Sequence, residues 1–327
     1  MRRPPAPLPP PLARLATLLV PFLALAALLC AVPSAHAADN GEWSVEPTAS
    51  GPARRPYFYL SADPGTRLTD SVTVTNKTAA PLTFLLYGAD AYNTERDGGF
   101  AVRTRQERQR GVGAWAKPDR ARVTVPARSA VTVPYTLTVP EDAEPGDHPG
   151  ALVALDERVA AGSGGAVAVG IQRAVGARVY LRVNGPAMPA LSVEDVRYVP
   201  DKPLVPGTGD SSALVSYTLH NRGNVTLAPK VALRAEGLFG RTLLARDLDG
   251  VPGELLPRQR IRFTTSWAGA PQLDWGEVTL TASAHGARGS GAASFLAVPW
   301  LAAAVLFAAG AGALVWVRAR RRSVRAG

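Results

Sequence analysis

Four arginines fall within eight positions, Arg103, Arg105, Arg108 and Arg110, and Lys117, Arg120 and Arg122 follow closely. A guanidinium presents a planar fork of donors that matches phosphate or carboxylate oxygens, so such a run suits an anionic wall polymer or a lipid headgroup. The competing reading is a solvated strand or loop face. The aromatics Tyr87, Tyr92, Trp115, Trp267 and Trp275 offer rings for stacking on sugars, although such rings also fill β-sandwich cores. From these sets Arg103, Arg105, Arg108, Arg110, Trp115 and Tyr92 are the candidate ligand-binding residues. Catalysis is poorly served. His148, His220 and His285 each stand alone in their segments, and no HExxH, CxxC, GxSxG or phosphate-cradling glycine loop occurs. The loop carboxylates Glu141, Asp142, Glu144 and Asp147 lack the Asp-x-Asp spacing of a calcium loop and read as a solvated acidic turn. The expectation is therefore a chain with no catalytic residues, no metal and no cofactor.

The two ends of the chain bear on where these groups are displayed. Arg2, Arg3 and Arg14 precede an apolar run over 15–32, followed by Ala35-His36-Ala37. A basic start, an apolar stretch and an A-x-A site describe a secretory signal peptide over 1–37, cleaved after Ala37. Cys30 follows Leu29 where a lipidation site needs a small residue, so no lipid anchor is expected. Near the other end, residues 295–317 contain no charge, and Arg318, Arg320, Arg321, Arg322 and Arg325 come next. Twenty-three helical residues span about 35 Å, enough for a hydrocarbon core of roughly 30 Å. The arginines place a 318–327 tail in the cytoplasm and the rest of the mature chain outside the cell membrane, which it crosses once.

Charge and cysteine usage narrow the choice further. The net charge of +10 belongs to the ends: without those eight arginines, 28 Lys+Arg face 26 Asp+Glu. A balance of +2 over so large a region excludes a nucleic-acid reading. The single cysteine leaves with the signal peptide, so stability has to come from hydrophobic cores.

Between the ends, alternation with period two dominates, as in Ser71-Val72-Thr73-Val74-Thr75 and from Ala130 through Val139. Such stretches put one side-chain set in a core and the other in water, the pattern of half-buried strands. Turn signals at Asp63-Pro64-Gly65, Asp97-Gly98-Gly99 and Pro145-Gly146-Asp147 separate them. The expected fold is all-β: tandem immunoglobulin-like antiparallel β-sandwiches over 38–185 and 186–285, a flexible Gly/Ser stalk over 286–294, and one transmembrane helix over 295–317. The halves share a pattern. A strand ends at Asn76 in one and at Asn221 in the other, and 125–131 resembles 256–262, which sets Arg128 opposite Gln259.

The first half also resembles a known bacterial surface family, the WxL-interacting proteins, in their peptidoglycan-binding domain. The resemblance is carried by Tyr57-Phe58-Tyr59-Leu60-Ser61-Ala62-Asp63-Pro64-Gly65, Asp70-Ser71-Val72-Thr73-Val74-Thr75-Asn76, Trp115, Val123-Thr124-Val125-Pro126, Thr138-Val139-Pro140-Glu141-Asp142-Ala143, Gly146-Asp147-His148-Pro149-Gly150-Ala151 and Val175-Gly176-Ala177-Arg178-Val179-Tyr180-Leu181-Arg182-Val183-Asn184-Gly185. It covers about 57–185, and the order of signal, module, second sandwich, membrane helix and basic tail is similar as well. The resemblance implies a non-enzymatic surface protein that binds peptidoglycan or a secreted surface partner, without marking ligand residues. Two other classes stay open: a membrane-anchored wall enzyme with a site assembled across loops, and a chaperone-like module that adds a strand to a partner's sheet.

Overall fold

The computed structural model describes residues 39–49, 55–161, 170–203, 205, 208–298 and 300–325. The expected signal peptide and its cleavage point at Ala37 lie outside the described residues, as do the side chains of the expected tail beyond Arg318.

The first sandwich contains β1 (Trp43–Pro47), β2 (Phe58–Ala62), β3 (Arg67–Asn76), β4 (Leu82–Asn93), β5 (Phe100–Val102), a single helical turn α1 (Val112–Trp115), β6 (Ala116–Pro118), β7 (Arg122–Val125), β8 (Ala130–Thr138) and β9 (Gly146–Asp156). A small β10–β11 ribbon (Ala160–Ala161, Gly170–Ile171) precedes its last strand, β12 (Ala174–Val183). One sheet runs β1-β3-β8-β6. The other runs β2-β12-β9-β4-β5, with β7 also on β4. Alternation sends Val72 and Val74 of β3 and Val133, Tyr135 and Leu137 of β8 inward, where they meet Trp43, Phe58 and Phe84 in one core.

The second sandwich contains β13 (Leu191–Asp201), β14 (Ser212–Asn221), β15 (Lys230–Glu236), β16 (Thr242–Leu248), β17 (Arg260–Ala268), β18 (Asp274–Ala284) and β19 (Ala287–Ala297). Sheet β13-β14-β17 packs on sheet β16-β15-β18-β19 around a separate core that includes Tyr217, Leu233, Ile261, Trp267 and Phe295. Among the described residues every pairing between these strands is antiparallel except β2 with β12, which is parallel.

The internal repeat is visible in matched strands. β3 and β14 are ten residues long and end at buried Asn76 and Asn221, and their partners β8 and β17 are nine. Asn76 Nδ2 donates to Val125 O (3.1 Å) and Asn221 Nδ2 to Leu255 O (2.9 Å). The Asn76 amide donates to Ser129 O and the Asn221 amide to Gln259 O. Arg128 (φ 51°) and Arg258 (φ 61°) adopt the same left-handed conformation in the following turn. Arg128 therefore matches Arg258, not Gln259. The sequence comparison is one residue out of register because shared prolines, Pro126 and Pro257, drew the alignment.

Two expectations at the C-terminal end are corrected. Residues 287–294 are not a flexible stalk but part of β19, paired with β18 from Ala284↔Ala287 to Asp274↔Ala297. Gly289 and Gly291 serve close approach: an added Cβ would sit 2.4 Å from Leu191 O and 2.6 Å from Val193 O, so they let β19 pass against β13. The helix does not begin at Phe295, which is buried in the second core against Tyr198 and Trp267. It begins at Trp300 as α2 (Trp300–Arg325), and its described side chains are exposed all round. Among the described residues no helix is long and apolar enough to cross a membrane.

Candidate functional site

The two sandwiches meet through buried polar side chains. Asn224 Nδ2 donates to Pro145 O and Pro186 O (both 2.9 Å), and its Oδ1 accepts from the Met188 amide (2.7 Å). Asp147 Oδ2 accepts from the Thr226 amide (2.7 Å), and Asn93 bridges to Glu254 O (2.7 Å) and the Leu256 amide (2.9 Å). Gly146, at φ 123°, fits where a Cβ would lie 2.2 Å from Asn224 O. Beside this contact lies a cleft of about 960 Å³ walled by both sandwiches.

The arginine run forms one wall of the cleft, and Asp90 at the end of β4 holds it in shape. Its carboxylate accepts from the amides of Arg110, Gly111 (3.1 Å) and Gly113 (2.7 Å). Gln109 Oε1 accepts from the Asp90 amide (2.8 Å), and Gln109 Nε2 donates to Thr104 O (2.9 Å). Glu107 closes the loop on the Thr104 amide and hydroxyl and pairs with Arg103 at 3.4 Å. The Thr104 amide, then its hydroxyl, holds the Glu107 carboxyl below its ordinary range. At the foot of the wall, α1 presents Trp115 to His148, with ring centroids 4.7 Å apart, and His148 Nε2 lies 2.8 Å from Glu144 O.

Of the sequence candidates, Arg103, Arg108, Arg110 and Trp115 line the cleft together. Arg105 does not line it and is exposed. Tyr92 lies beneath Arg103, whose guanidinium carbon is 5.7 Å from the ring centroid, so it supports the wall instead of facing the cleft. Arg122 is taken up by Glu157 at 2.6 Å. Two of the four carboxylates of the acidic loop are committed, Glu144 to Arg258 and Asp147 to Arg182. Trp267 is core and offers no ring to a ligand, because the inward alternation of β17 buries it.

Sequence reasoning missed Asp90, His148 as the partner of Trp115, and Arg258, which joins the cleft from the second sandwich. It also missed an aromatic group on the outer face of the first sandwich. Tyr59 stacks on Tyr180 (5.4 Å, 12°), Tyr57 meets both edge-on, and Arg178 lies 4.2 Å over Phe100. Glu254 of the second sandwich accepts from the Tyr180 hydroxyl (2.9 Å), and burial is the main cause that pushes this hydroxyl up to about 12. The alternation Tyr57-Phe58-Tyr59, with Phe58 buried, was the available signal.

No family model matches the chain, and no curated protein matches it. Among solved structures, a chaperone–tip adhesin complex of CFA/I fimbriae biogenesis is 10% identical, covering 79% of this chain and 100% of that one, at a TM-score of 0.35. The CsuC–CsuE chaperone–tip subunit pre-assembly complex of Acinetobacter baumannii is 12% identical over 73% and 94%, at 0.34. The CupB2 chaperone of Pseudomonas aeruginosa is 10% identical over 74% and 97%, at 0.29. Likenesses at such TM-scores support no inference, and the two-sandwich architecture rests on the strand pairing alone.

Proposed function

We propose that this chain is a non-enzymatic, membrane-anchored display protein that binds an anionic cell-wall polymer in the cleft between its sandwiches. One observation carries the reading. The guanidinium groups of Arg108 and Arg110 face the cleft without an ion-pair or hydrogen-bond partner among the described residues, while most carboxylates there are already engaged. Among the described residues, the charged side chains of the cleft left without an ion pair or hydrogen bond are these two arginines and Asp142, beside the Trp115–His148 pair. Forked donors next to a ring surface suit a polymer that alternates anionic groups with sugars, such as peptidoglycan. The one histidine in the cleft is held in place through its ring face and Nε2, which steadies the Trp115 ring beside it. The resemblance of 57–185 to the peptidoglycan-binding domain of WxL-interacting proteins points the same way.

Anchoring rests on the sequence of α2 and not on its described side chains, which over 304–318 are too few to span a bilayer by themselves. Residues 300–317 carry no charge, and arginines follow from Arg318. Eighteen residues at 1.5 Å give about 27 Å, at the short end of a spanning helix, with the arginines on the cytoplasmic side. Tethering beside an immobile polymer raises its effective concentration, so modest affinity suffices.

The test is co-sedimentation of the full chain, in detergent, with purified wall. Binding should weaken as the Debye length shrinks from about 10 Å at 0.1 M salt to about 3 Å at 1 M. The double variant Arg108→Ser, Arg110→Ser should bind less at low salt and respond less to added salt. Equal sedimentation of variant and parent would refute the cleft as the wall site. Capture of a secreted protein by the parent alone would replace the polymer with a protein ligand on the same surface.

A further inference from the structure

The end of the second sandwich from which α2 departs carries apolar side chains that neither core uses. Phe239 is 102% exposed, Leu273 70% and Trp275 61%, and Val205 and Leu296 are exposed too. The strand registers bring them to one end. Trp275 pairs with Leu296 across β18 and β19, next to Asp274↔Ala297, the last pair before the helix. The loop after β13 joins them, since Lys202 Nζ donates to Val298 O (2.9 Å) and Gln272 Nε2 to Gly209 O (2.9 Å).

This end is braced. Phe239 sits in the turn Leu238–Gly240 at φ 57°, a left-handed conformation that bulky side chains avoid. Buried Asp274 pins that turn by accepting from the Leu238 amide (2.9 Å) and from Arg241 (2.7 Å). Gly237 allows the close approach, because a Cβ there would lie 2.6 Å from an Asp274 oxygen. A strained backbone therefore holds a phenylalanine out into solvent, where the fold itself gains nothing from it.

We propose that this surface contacts lipid: Phe239, Leu273 and Trp275 enter the headgroup–acyl boundary of the bilayer that α2 crosses. The inference rests on the anchoring reading above. Only residues 298 and 299 separate β19 from α2, and the three Cα steps from Ala297 to Trp300 reach at most about 11 Å, so this end is held close to the headgroups. Aromatic side chains are favoured at that depth. The nearby exposed charges do not add up to a basic patch, since Asp201 and Asp210 oppose Lys202, and Arg241 is committed to Asp274. The contact is therefore apolar, insensitive to salt and to lipid charge.

The experiment uses the full chain with Cys30→Ser, reconstituted in phosphatidylcholine vesicles containing nitroxide-labelled lipid. A bimane fluorophore is attached in turn at Phe239→Cys, Leu273→Cys, Phe307→Cys within α2, and Ala79→Cys, an exposed turn position of the first sandwich. Emission at 239 and 273 should fall to about half, as for groups roughly 5–10 Å into the boundary, with Phe307 quenched and Ala79 unchanged. The same quenching should persist in 1 M salt and with anionic lipid. Quenching at Phe307 but not at 239 and 273 overturns this inference and leaves the anchor standing. No quenching at Phe307 overturns both. Loss of quenching at 239 and 273 in high salt makes the contact electrostatic and overturns the apolar account.

Discussion

Replacing Asp90 with alanine removes no arginine from the cleft, yet it should weaken binding there. The Asp90 carboxylate is the acceptor for three structural amides of one loop, those of Arg110, Gly111 and Gly113. Hydrogen bonds to a charged acceptor contribute up to about 3 kcal/mol each, but this carboxylate is partly open to solvent, so about 1 kcal/mol per bond is the fair figure. Losing all three destabilises the latched loop by about 3 kcal/mol, roughly a hundredfold in its opening equilibrium. Amide hydrogen exchange reads this directly: protection at Gly111 and Gly113 should fall about a hundredfold in Asp90→Ala, with little change at core amides such as those of Val133 and Val179. Affinity for wall should fall as well, because Arg108 and Arg110 then pay ordering entropy on binding. Unchanged protection would show that the loop is held by other contacts. Faster exchange with undiminished affinity would refute the idea that a preformed arginine wall matters.

The two repeat asparagines should behave alike. Asn221→Ala abolishes hydrogen bonds to Val225 O, Leu255 O and the Gly223 amide and should cost about 3 kcal/mol. Asn76→Ala should cost a similar amount in the first sandwich, with denaturant midpoints as the check and a loss below about 0.5 kcal/mol as the failure. The Tyr135 hydroxyl is buried and has no hydrogen-bond partner among the described residues, so Tyr135→Phe should leave thermal stability unchanged or raise it by about 1 kcal/mol, and a fall would refute the assignment. The Glu194 carboxyl is lowered from 4.5 to about 2, chiefly by the hydrogen bond from His220, then by Ser192, with the Arg260 charge adding. A depressed folded value stabilises above the unfolded one and is lost as pH falls from about 4.5 through about 2. Glu194→Gln should flatten the loss of stability across that window, and an unchanged acid slope would count against the pairing.

The sandwich strands were readable because valine and threonine alternate along β3 and β8, and that alternation is the physical difference between core and water. The repeat was readable for a similar reason: Asn76 and Asn221 end equivalent strands, and the buried amide of each ties a turn that any such sandwich has to close. The C-terminal boundary was not. In sequence, Gly289 and Gly291 read as freedom, and only the carbonyls of Leu191 and Val193 pressing on them reveal confinement. Phe295 looks like the first residue of an apolar helix because hydrophobicity alone does not separate a strand that packs on Trp267 from a membrane span. The cleft was half legible. The arginine run announces itself, but Arg258 reaches it from 148 residues after Arg110 through a contact between domains, and long-range docking leaves no local pattern.

The direct passage of β19 into α2 also sets how the protein bears load. On the proposed wall-binding and anchored reading, a ligand fixed in the wall would pull on the first sandwich, which joins the second at Leu191, the start of β13, while a bilayer around α2 would hold the chain just past Ala297, the end of β19. Those points lie at opposite ends of the second sandwich, so tension runs parallel to its strands. β19 is then loaded in shear along its eleven residues against β18, and its cross-strand hydrogen bonds resist together instead of opening one at a time. A loose stalk would have stretched before transmitting any force. This junction would pass each tug on α2 straight into the sheet.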